Sequence, residues 1–245
     1  EVAARFADGA GTSASELARA AGPAMGDTRR HLYDESFVDG FLGAVPGLHE
    51  RLRGGADVLD VGCGSGRTSA LLADAFPRCR VVGLDIAPAA VARATADHGG
   101  REGLSFRQGD AADLDDDRAH DVVLAVDVVH DLPHPERTLR ALRRALRDDG
   151  LLVLVDVAFP SDLPALLAAR DLRDAAADAY AISVLYCLPS SLADGGSGWG
   201  AMIGRERLVA ALEAAGFEGV EVHASPRSQN AVYVARPSLS DGPRA

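Results

Sequence analysis

The nine residues VLDVGCGSG at positions 58–66 decide the fold class of this chain. The first four, Val58 to Val61, have the pattern of a buried strand, and they lead directly into glycines at positions 62, 64 and 66. A strand that runs through closely spaced glycines into a helix lets the backbone approach a ligand, because no Cβ stands in the way. We therefore expect a ligand to lie against this turn and a helix to begin at Arg67.

Strand and helix patterns alternate from this turn toward the C-terminus. Such alternation is typical of a parallel sheet covered by helices. We predict strands at 58–61, 80–85, 104–108, 121–127, 151–157, 219–223 and 231–236, and helices at 67–76, 91–98 (with Pro88 in the first turn), 137–147 and 205–215. A short polar connection joins the last two strands, which indicates an antiparallel pair. The predicted fold class is α/β, a Rossmann-like doubly wound sheet of seven strands, mostly parallel with a C-terminal antiparallel strand pair.

Three segments fall outside this alternation. Residues 158–204 hold Ala-rich helical sequence and then a glycine-rich stretch, which predicts a helical and loop insertion after the fifth strand that acts as a lid or contacts substrate; a mobile surface loop is the alternative. Residues 1–50 are predicted to form N-terminal helices, and residues 238–245 a disordered tail. The main domain is therefore assigned to residues 51–237.

Composition excludes several classes of protein. The 245-residue chain has a net charge of −11, which opposes a nucleic-acid partner because phosphate binding needs a clustered basic surface. Its apolar runs fall short of the roughly 18–20 residues that span a bilayer, and no signal pattern opens it, so we expect a cytoplasmic protein with no membrane partner. Cys63, Cys79 and Cys187 are odd in number and far apart, which disfavours a disulfide framework or a structural zinc site. A small-molecule partner fits this composition better.

The glycine turn is consistent with a nicotinamide dinucleotide or with another nucleoside cofactor. The nicotinamide dinucleotide motif GxGxxG, counted from Gly62, requires glycine at position 67, where this chain has Arg67. Asp85 follows Gly66 by 19 residues, at the end of the second predicted strand, where a carboxylate can bind both hydroxyls of a ribose. Ile86 could lie against an adenine face or pack in the core. The turn and Asp85 indicate a nucleoside cofactor, and Arg67 disfavours the dinucleotide.

Agreement over a longer stretch separates the two cofactors. The chain resembles the class I S-adenosylmethionine-dependent methyltransferases through four motifs in order: VLDVGCGSGRTSALLA, VVGLDIAPAAVARA, FRQGDAADL and HDVVLAVDVVHDLPHPERTLRALRRALRDDGLLVLVD. The likeness covers residues 57–157, and the final strand pair fits the remainder. It implies transfer of a methyl group from S-adenosylmethionine, with S-adenosylhomocysteine as product, to a small-molecule acceptor such as those of secondary metabolism.

The resemblance implies roles for matching positions only. The glycine turn and Asp60 would surround the methionine portion of the cofactor, Asp85 would bind its ribose, and Asp127 would lie near its methionine ammonium. Asp110 and the Ala111 amide would bind the adenine edge, and the alternative for Asp110 is a turn residue after Gly109. The full set of cofactor residues is Asp60, Gly62, Cys63, Gly64, Gly66, Asp85, Ile86, Asp110, Ala111 and Asp127.

A finer resemblance concerns actinobacterial-type methyltransferases that carry an N-terminal winged-helix-like domain. It rests on VPGLHERL before the first strand and SLADGGSGWGAMIG after the fifth. The segment SASELARAAG at 13–22 is similar to one helix of such a domain, and most of the remaining domain is missing here. Because that domain often supplies dimerisation in the family, a homodimer stays an open option.

The chemistry of methyl transfer makes His130 and Asp131 the candidate catalytic residues. A sulfonium already makes its methyl group electrophilic, so placement of the acceptor supplies much of the catalysis. A hydroxyl acceptor must also lose a proton, and a positioned histidine can contribute a factor of about 10²–10⁴ as general base. His130-Asp131 follows the fourth strand, where the ligand cleft opens, and resembles the catalytic pair of small-molecule O-methyltransferases. Capping of the next helix is the alternative role for His130.

A metal is the second alternative at this position. His130, Asp131 and His134 could approach one ion, an arrangement that resembles some C-methyltransferases of α-keto acids. Pro133 and Pro135 disfavour the required helical geometry, however, and no distant third ligand is evident in the sequence. We therefore predict no metal.

Aromatic residues in segments that flank the fold are the candidates for the substrate wall: Tyr33, Phe37, Tyr186 and Trp199. Packing in the core is the alternative for each of them.

Two other functions compete with the enzyme. A regulatory protein that binds S-adenosylmethionine without transferring its methyl group would explain the SASELARAAG segment, and the acidic net charge opposes it. A short-chain dehydrogenase would need a Tyr-x-x-x-Lys pair, and this chain contains no lysine.

Overall fold

Seven strands form one sheet in the order β3-β2-β1-β4-β5-β7-β6. The computed structural model describes residue 9 and residues 11–13, 16–17 and 30–238. Within this part of the chain the strands are β1 (Asp57–Val61), β2 (Arg80–Asp85), β3 (Leu104–Gln108), β4 (His120–Val126), β5 (Leu146–Val157), β6 (Phe217–Ala224) and β7 (Asn230–Pro237). Strands β1 to β5 pair in parallel, whereas β7 runs antiparallel to both β5 and β6. The predicted seven-stranded sheet, mostly parallel with a C-terminal antiparallel pair, is confirmed.

Helices connect these strands. They are α1 (Leu48–Gly54), α2 (Arg67–Ala75), α3 (Pro88–His98), α4 (Pro135–Ala145), α5 (Leu163–Ala168), α6 (Arg173–Leu185), α7 (Cys187–Ser191) and α8 (Arg205–Ala214). A leading helix precedes them over residues 30–36 and continues as the π-helical segment Phe37–Leu42. Short 3-10 turns lie at Ala111–Asp113, Val129–Asp131 and Ala193–Gly195. Each helix in the described part of the chain is too short or too polar to cross a lipid bilayer.

Two hydrophobic cores lie on opposite faces of the sheet, because successive side chains of a strand point to opposite sides. On β1, Val58 packs in one core with Phe41 of the π-helical segment and Leu72 of α2. The next residue, Leu59, packs in the other core with Leu139 of α4. Full burial of each such side chain is worth roughly 1.5–3 kcal/mol. Helices on both faces therefore hold the sheet between two apolar layers.

The strand order reverses at β1, which lies between β2 and β4. The chain leaves β1 toward β2 and β3 on one side and returns to β4 and β5 on the other. In open α/β sheets this reversal opens a crevice at the carboxyl ends of the strands. The turn that follows β1 begins at Gly62, so the glycines of the opening motif lie at this crevice.

Most element boundaries differ from the sequence prediction by one or two residues, and the largest difference lies at the start of β5. The predicted helix 137–147 ends earlier, at Ala145, and β5 begins at Leu146 instead of Leu151. Leu146 pairs with His120, and the next pair joins Leu151 to Val122, so residues 147–150 form an irregular bulge in the strand. The polar sequence Arg-Asp-Asp-Gly at 147–150 has the composition of a turn, which explains why the sequence pattern placed it outside the strand.

The insertion after β5 is ordered into helices α5, α6 and α7 and the turn Ala193–Gly195. Its own small core contains Phe159, Leu166, Cys187 and Ile203, all buried. Most of the SASELARAAG segment and the tail after Ser238 lie outside the described residues, and the predictions for them stay predictions.

Candidate active site

A cavity of about 740 Å³ opens at the carboxyl ends of β1, β2 and β4. Its walls combine the glycine turn after β1, the residues that follow β2 and β3, the 3-10 turn after β4, the leading helix and part of the insertion. Nine of the ten predicted cofactor positions line this cavity: Asp60, Gly62, Cys63, Gly64, Asp85, Ile86, Asp110, Ala111 and Asp127. The tenth position, Gly66, does not line the cavity and faces the Phe106 ring instead.

The glycine turn needs residues without a side chain at three positions. Gly62, Gly64 and Gly66 all have positive φ, at 66°, 54° and 77°, a region that other residues rarely adopt. A Cβ on Gly62 would lie 2.5 Å from Val128 Cγ2, and one on Gly66 would lie 2.6 Å from the Phe106 ring. A Cβ on Gly64 would meet no atom within 4 Å. Packing therefore explains two of the glycines, whereas Gly64 borders open space in the cavity.

Asp60 is buried at the end of β1, below the turn. Its Oδ2 accepts hydrogen bonds from the hydroxyls of Thr68, at 2.9 Å, and Ser69, at 2.5 Å. Burial raises the pKa of Asp60 to about 6, although these two hydrogen bonds oppose the shift, and the charge of Asp85 adds to it. The carboxylate thus ties the start of α2 to β1 and fixes the turn between them.

Asp85, at the end of β2, braces the same turn from the other side. Its Oδ2 accepts a hydrogen bond from the Gly64 amide at 2.8 Å, and its Oδ1 accepts one from the Ala87 amide at 2.9 Å. Burial raises the pKa of Asp85, and the two amides oppose that shift. The carboxylate predicted to bind ribose therefore lies on the cavity wall beside Gly64.

The residues after β2 and β3 form the next part of the wall. Ile86 is 44% exposed, which favours its role as a cavity surface over a role in the core. Asp110 accepts a hydrogen bond from the Ala112 amide at 2.8 Å and so begins the turn Ala111–Asp113. Asp110 therefore is a turn residue that also lines the cavity, and its contact with adenine stays a prediction.

Asp127 follows β4 with φ of 54°, a left-handed conformation that is uncommon for a residue with a side chain. Tyr33 Oη donates a hydrogen bond to its Oδ2 at 2.7 Å, and Asn230 Nδ2 donates one to its Oδ1 at 2.8 Å. Asn230 begins β7 and lies 103 residues from Asp127. Sequence reasoning missed Asn230, because no local pattern connects two positions so far apart.

His130 lies behind the wall that Asp131 forms. His130 is 3% exposed and is not among the cavity-lining residues, whereas Asp131 is one of them. The imidazole lies between two carboxylates, with Nδ1 2.7 Å from Asp156 Oδ1 and Nε2 3.2 Å from Asp131 Oδ1. Burial acts to lower the pKa of His130, but the neighbouring charges of Asp156 and Asp131 outweigh it and hold the pKa well above its usual value. Asp131 is therefore the member of the predicted pair that can contact a ligand.

The four aromatic candidates separate into two groups. Tyr33 and Tyr186 line the cavity. Phe37 is 1% exposed in the main core, and Trp199 packs between the second core and that of the insertion, so neither of these two is among the cavity-lining residues. The insertion also contributes Ser190 and Ala193 to the wall, and the turn after β4 contributes His134.

Cys63 lines the cavity but does not have the features of a nucleophile. Burial raises the pKa of its thiol, and the charges of Asp60 and Asp85 add to that shift. A thiol with a raised pKa is a poor source of thiolate. Cys63 therefore acts as a small side chain in the turn.

Comparisons with known proteins place the chain in a family. A family model described as a methyltransferase domain matches residues 52–193. Trans-aconitate 2-methyltransferase of Methylobacterium nodulans is 34% identical over 99 residues, which are 40% of this chain and 37% of that protein. Phthiotriol/phenolphthiotriol dimycocerosates methyltransferase of Mycobacterium tuberculosis is 36% identical over 124 residues, which are 49% of this chain and 46% of that protein. The chain thus spans less than half the length of these curated relatives.

A solved structure extends the likeness to the fold. Human N-acetylserotonin methyltransferase in complex with SAM has a TM-score of 0.59 and 17% sequence identity to this chain. The match covers 81% of this chain and 50% of that chain. At this identity the likeness concerns the fold alone.

Proposed function

Because this chain belongs to the methyltransferase-domain family, we propose that it transfers a methyl group from S-adenosylmethionine to a small-molecule acceptor. The observation that carries the proposal is the convergence of the glycine turn, Asp85 and Asp131 on one cavity. The first two are groups that a nucleoside cofactor needs, and the third is a polar group that an acceptor can contact.

The cavity wall fits this cofactor at two points. Gly64 leaves open space where any Cβ would project, as close approach of a ligand to the backbone requires. The carboxylates of Asp85 and Asp110 line the same cavity, and carboxylates accept hydrogen bonds from ribose hydroxyls and from an adenine amino group. Backbone and side chains therefore offer acceptors along the length of a nucleoside.

The proposal assigns the parts of the cofactor to neighbouring wall residues. Asp60 and the glycine turn would hold its methionine portion, and Asp127 would lie near the methionine ammonium. Asp85 would hold the ribose, and Asp110 with Ala111 would hold the adenine. When bound, S-adenosylmethionine supplies an electrophilic methyl group on its sulfonium.

The contribution of the chain to the reaction is placement of the acceptor. Tyr33 and Tyr186 offer rings and hydroxyls on the cavity wall, and Asp131 offers a carboxylate. In the proposed reaction Asp131 accepts a hydrogen bond from the hydroxyl or amine to be methylated. His130 acts as a positioning residue, because its Nε2 lies 3.2 Å from Asp131 Oδ1 and Asp156 holds its other nitrogen. Alignment of reacting groups in this way supplies a large share of catalysis in two-substrate reactions.

Charge and size support a small-molecule acceptor. The net charge of −11 opposes a nucleic-acid partner. A cavity of about 740 Å³ lies within the usual range for small-ligand sites, roughly 300–1,000 Å³. The relatives named for trans-aconitate and for phthiotriol dimycocerosates act on very different molecules, and we propose for this chain an acceptor of the same broad class, a small organic molecule.

Calorimetry tests the cofactor. We expect S-adenosylmethionine and S-adenosylhomocysteine to bind and NAD not to bind. Gly64→Ala should weaken binding at least tenfold, because its Cβ would enter the cavity. Gly47→Ala is the matched control, since Gly47 also has positive φ, at 77°, with no atom within 4 Å of its Cβ, and it lies outside the cavity. Binding of NAD in preference to S-adenosylhomocysteine would refute the assignment of S-adenosylmethionine as the cofactor.

Methyl transfer is tested with labelled S-adenosylmethionine and a panel of phenols, carboxylic acids and amines. Once an acceptor is found, Asp131→Asn should lower kcat by about 10²–10⁴ with little change in cofactor affinity. Cofactor binding without transfer to any acceptor would favour the regulatory alternative.

A further inference from the structure

A cluster of three metal-binding side chains lies at the edge of the cavity. His130, Asp131 and Cys187 each offer one ligand atom, and these atoms lie within 4.8 Å of one another. His130 and Cys187 are each 3% exposed, and Asp131 lines the cavity. We propose that this cluster binds one divalent transition-metal ion, zinc foremost.

The donor atoms suit zinc. One imidazole nitrogen, one carboxylate oxygen and one thiolate sulfur are the three ligand types that zinc takes in proteins. Three protein ligands leave a fourth position for water or substrate, which distinguishes catalytic zinc sites from closed structural ones. Calcium and magnesium, which prefer oxygen ligands, fit the set poorly.

The observed spacing is close to that of a metal site. Two N or O ligands about 2.1 Å from a tetrahedral ion lie roughly 3.4 Å from each other. His130 Nε2 and Asp131 Oδ1 are 3.2 Å apart. Cys187 Sγ lies within 4.8 Å of a ligand atom on each of these two residues, so small side-chain movements would complete the coordination.

Asp156 supplies the partner that a metal-binding histidine usually has. Such a histidine donates its second ring N–H to a carboxylate or carbonyl, which fixes the tautomer and the ring orientation. Nδ1 of His130 lies 2.7 Å from Asp156 Oδ1, and Asp156 is 1% exposed. With Nδ1 held in this way, Nε2 faces Asp131 and can present its lone pair to an ion.

The fold brings the third ligand from a distant part of the chain. Cys187 begins α7 in the insertion, 56 residues after Asp131. Ser191, at the end of α7, donates a hydrogen bond from its hydroxyl to the Leu132 carbonyl at 3.0 Å, next to Asp131. The sequence prediction considered His134 as third ligand and found no distant one, because nothing local indicates that α7 packs on this turn. His134 is exposed and lies outside the cluster.

A bound ion would help to activate the acceptor in the cavity. Because Asp131 lines the cavity, the fourth position can be reached by an acceptor oxygen. An ion there would lower the pKa of that oxygen. This role rests on the proposed methyl transfer, whereas metal binding does not, so the two are tested separately.

Metal binding is measured on the full chain without turnover. The protein is freed of metal with a chelator and titrated with Co²⁺, a spectroscopic substitute for the silent Zn²⁺. We expect about one Co²⁺ per chain with a sulfur-to-cobalt charge-transfer band, and loss of that band in Cys187→Ser. Cys79→Ser is the control, since Cys79 is another buried free thiol and donates to the Leu52 carbonyl far from the cluster. It should keep the band.

Asp156→Asn provides a second test that does not remove a ligand. Zn²⁺ affinity, measured by competition with a chelating dye, should fall about 10–100-fold, as for other partners of metal-bound histidines. A protonated His130 between two carboxylates is the metal-free alternative. Folded wild-type protein without a Co²⁺ sulfur band, a band that survives in Cys187→Ser, or unchanged Zn²⁺ affinity in Asp156→Asn would each overturn the proposal in favour of that alternative.

Discussion

At the scale of single residues, the carboxylates of this site differ in what they contact. Asp60 is buried and holds α2 to β1 through Thr68 and Ser69, whereas Asp85 braces the glycine turn through backbone amides. The sequence predicted both as cofactor residues, because their positions after strands are visible locally. It could not predict that Asp60 is bound to two hydroxyls of the next helix, since the burial of a carboxylate depends on packing.

The raised pKa of Asp60 predicts a pH-dependent stability. Its folded-state pKa of about 6 exceeds the ordinary 3.8, so the folded protein binds this proton more tightly than the unfolded chain. The resulting stability is fully present below about pH 4 and is lost as pH rises through 6. The loss is on the order of 3 kcal/mol in the free energy of unfolding.

Asp60→Asn should remove this dependence, because the amide oxygen can still accept hydrogen bonds but does not ionise. Urea unfolding at several pH values between 4 and 7 measures it, and the stability of the variant relative to wild type should rise across that range. Asp74→Asn, at an exposed carboxylate that pairs with Arg101, serves as control. Parallel curves for wild type and Asp60→Asn would contradict the prediction.

At the scale of elements, the parallel strands were predictable and the insertion was not. β2 and β3 match their predicted bounds, since short apolar runs between turn residues mark buried parallel strands. The helices of the insertion follow one another without strands between them. No alternating pattern in the sequence therefore predicts where the insertion packs, which depends on long-range contacts. This is why Tyr186 was identified only as one of four aromatic candidates, and why Cys187 was not identified at the site.

Ser191 links the insertion to the turn after β4. Its hydroxyl donates to the Leu132 carbonyl at 3.0 Å and accepts from the Trp199 amide at 2.8 Å, and the residue is fully buried. Ser191→Ala should lower the free energy of unfolding by about 1–3 kcal/mol, because two partly buried backbone groups lose their partner. Hydrogen exchange of residues 186–200 should speed up.

Ser225→Ala is the matched control, since the Ser225 hydroxyl in the β6–β7 connection also donates to backbone carbonyls, those of Arg227 and Asn230, and accepts from a backbone amide, that of Arg227. It should leave exchange in residues 186–200 unchanged. Equal exchange of that segment in wild type and Ser191→Ala would show that other contacts hold the insertion.

At the scale of the whole molecule, the ends of β1, β2, β3 and β4 meet at one cavity. The segments 60–65, 84–87 and 110–112, at the ends of β1, β2 and β3, are far apart in the sequence and line the same wall. If the proposed cofactor binds there, S-adenosylhomocysteine should slow hydrogen exchange in all three segments together. Exchange in β6, an edge strand away from the cavity, should stay the same.

The same ligand should raise the melting temperature in a concentration-dependent way, with a stabilisation of about 2.7 kcal/mol at 100 times the Kd. Protection confined to one of the three segments would argue against a cofactor that extends across the cavity.

The hydrogen bonds of Asp127 also have a consequence for the order of folding. One partner, Tyr33, precedes the sheet, and the other, Asn230, begins β7, which lies between β5 and β6. Pairing of β1 to β5 alone therefore leaves Asp127 without its contact to Asn230. Contacts between such distant positions form late, because the closure of long loops must come first. We therefore expect Asp127 to reach its final position on the cavity wall only after β7 has paired with β5.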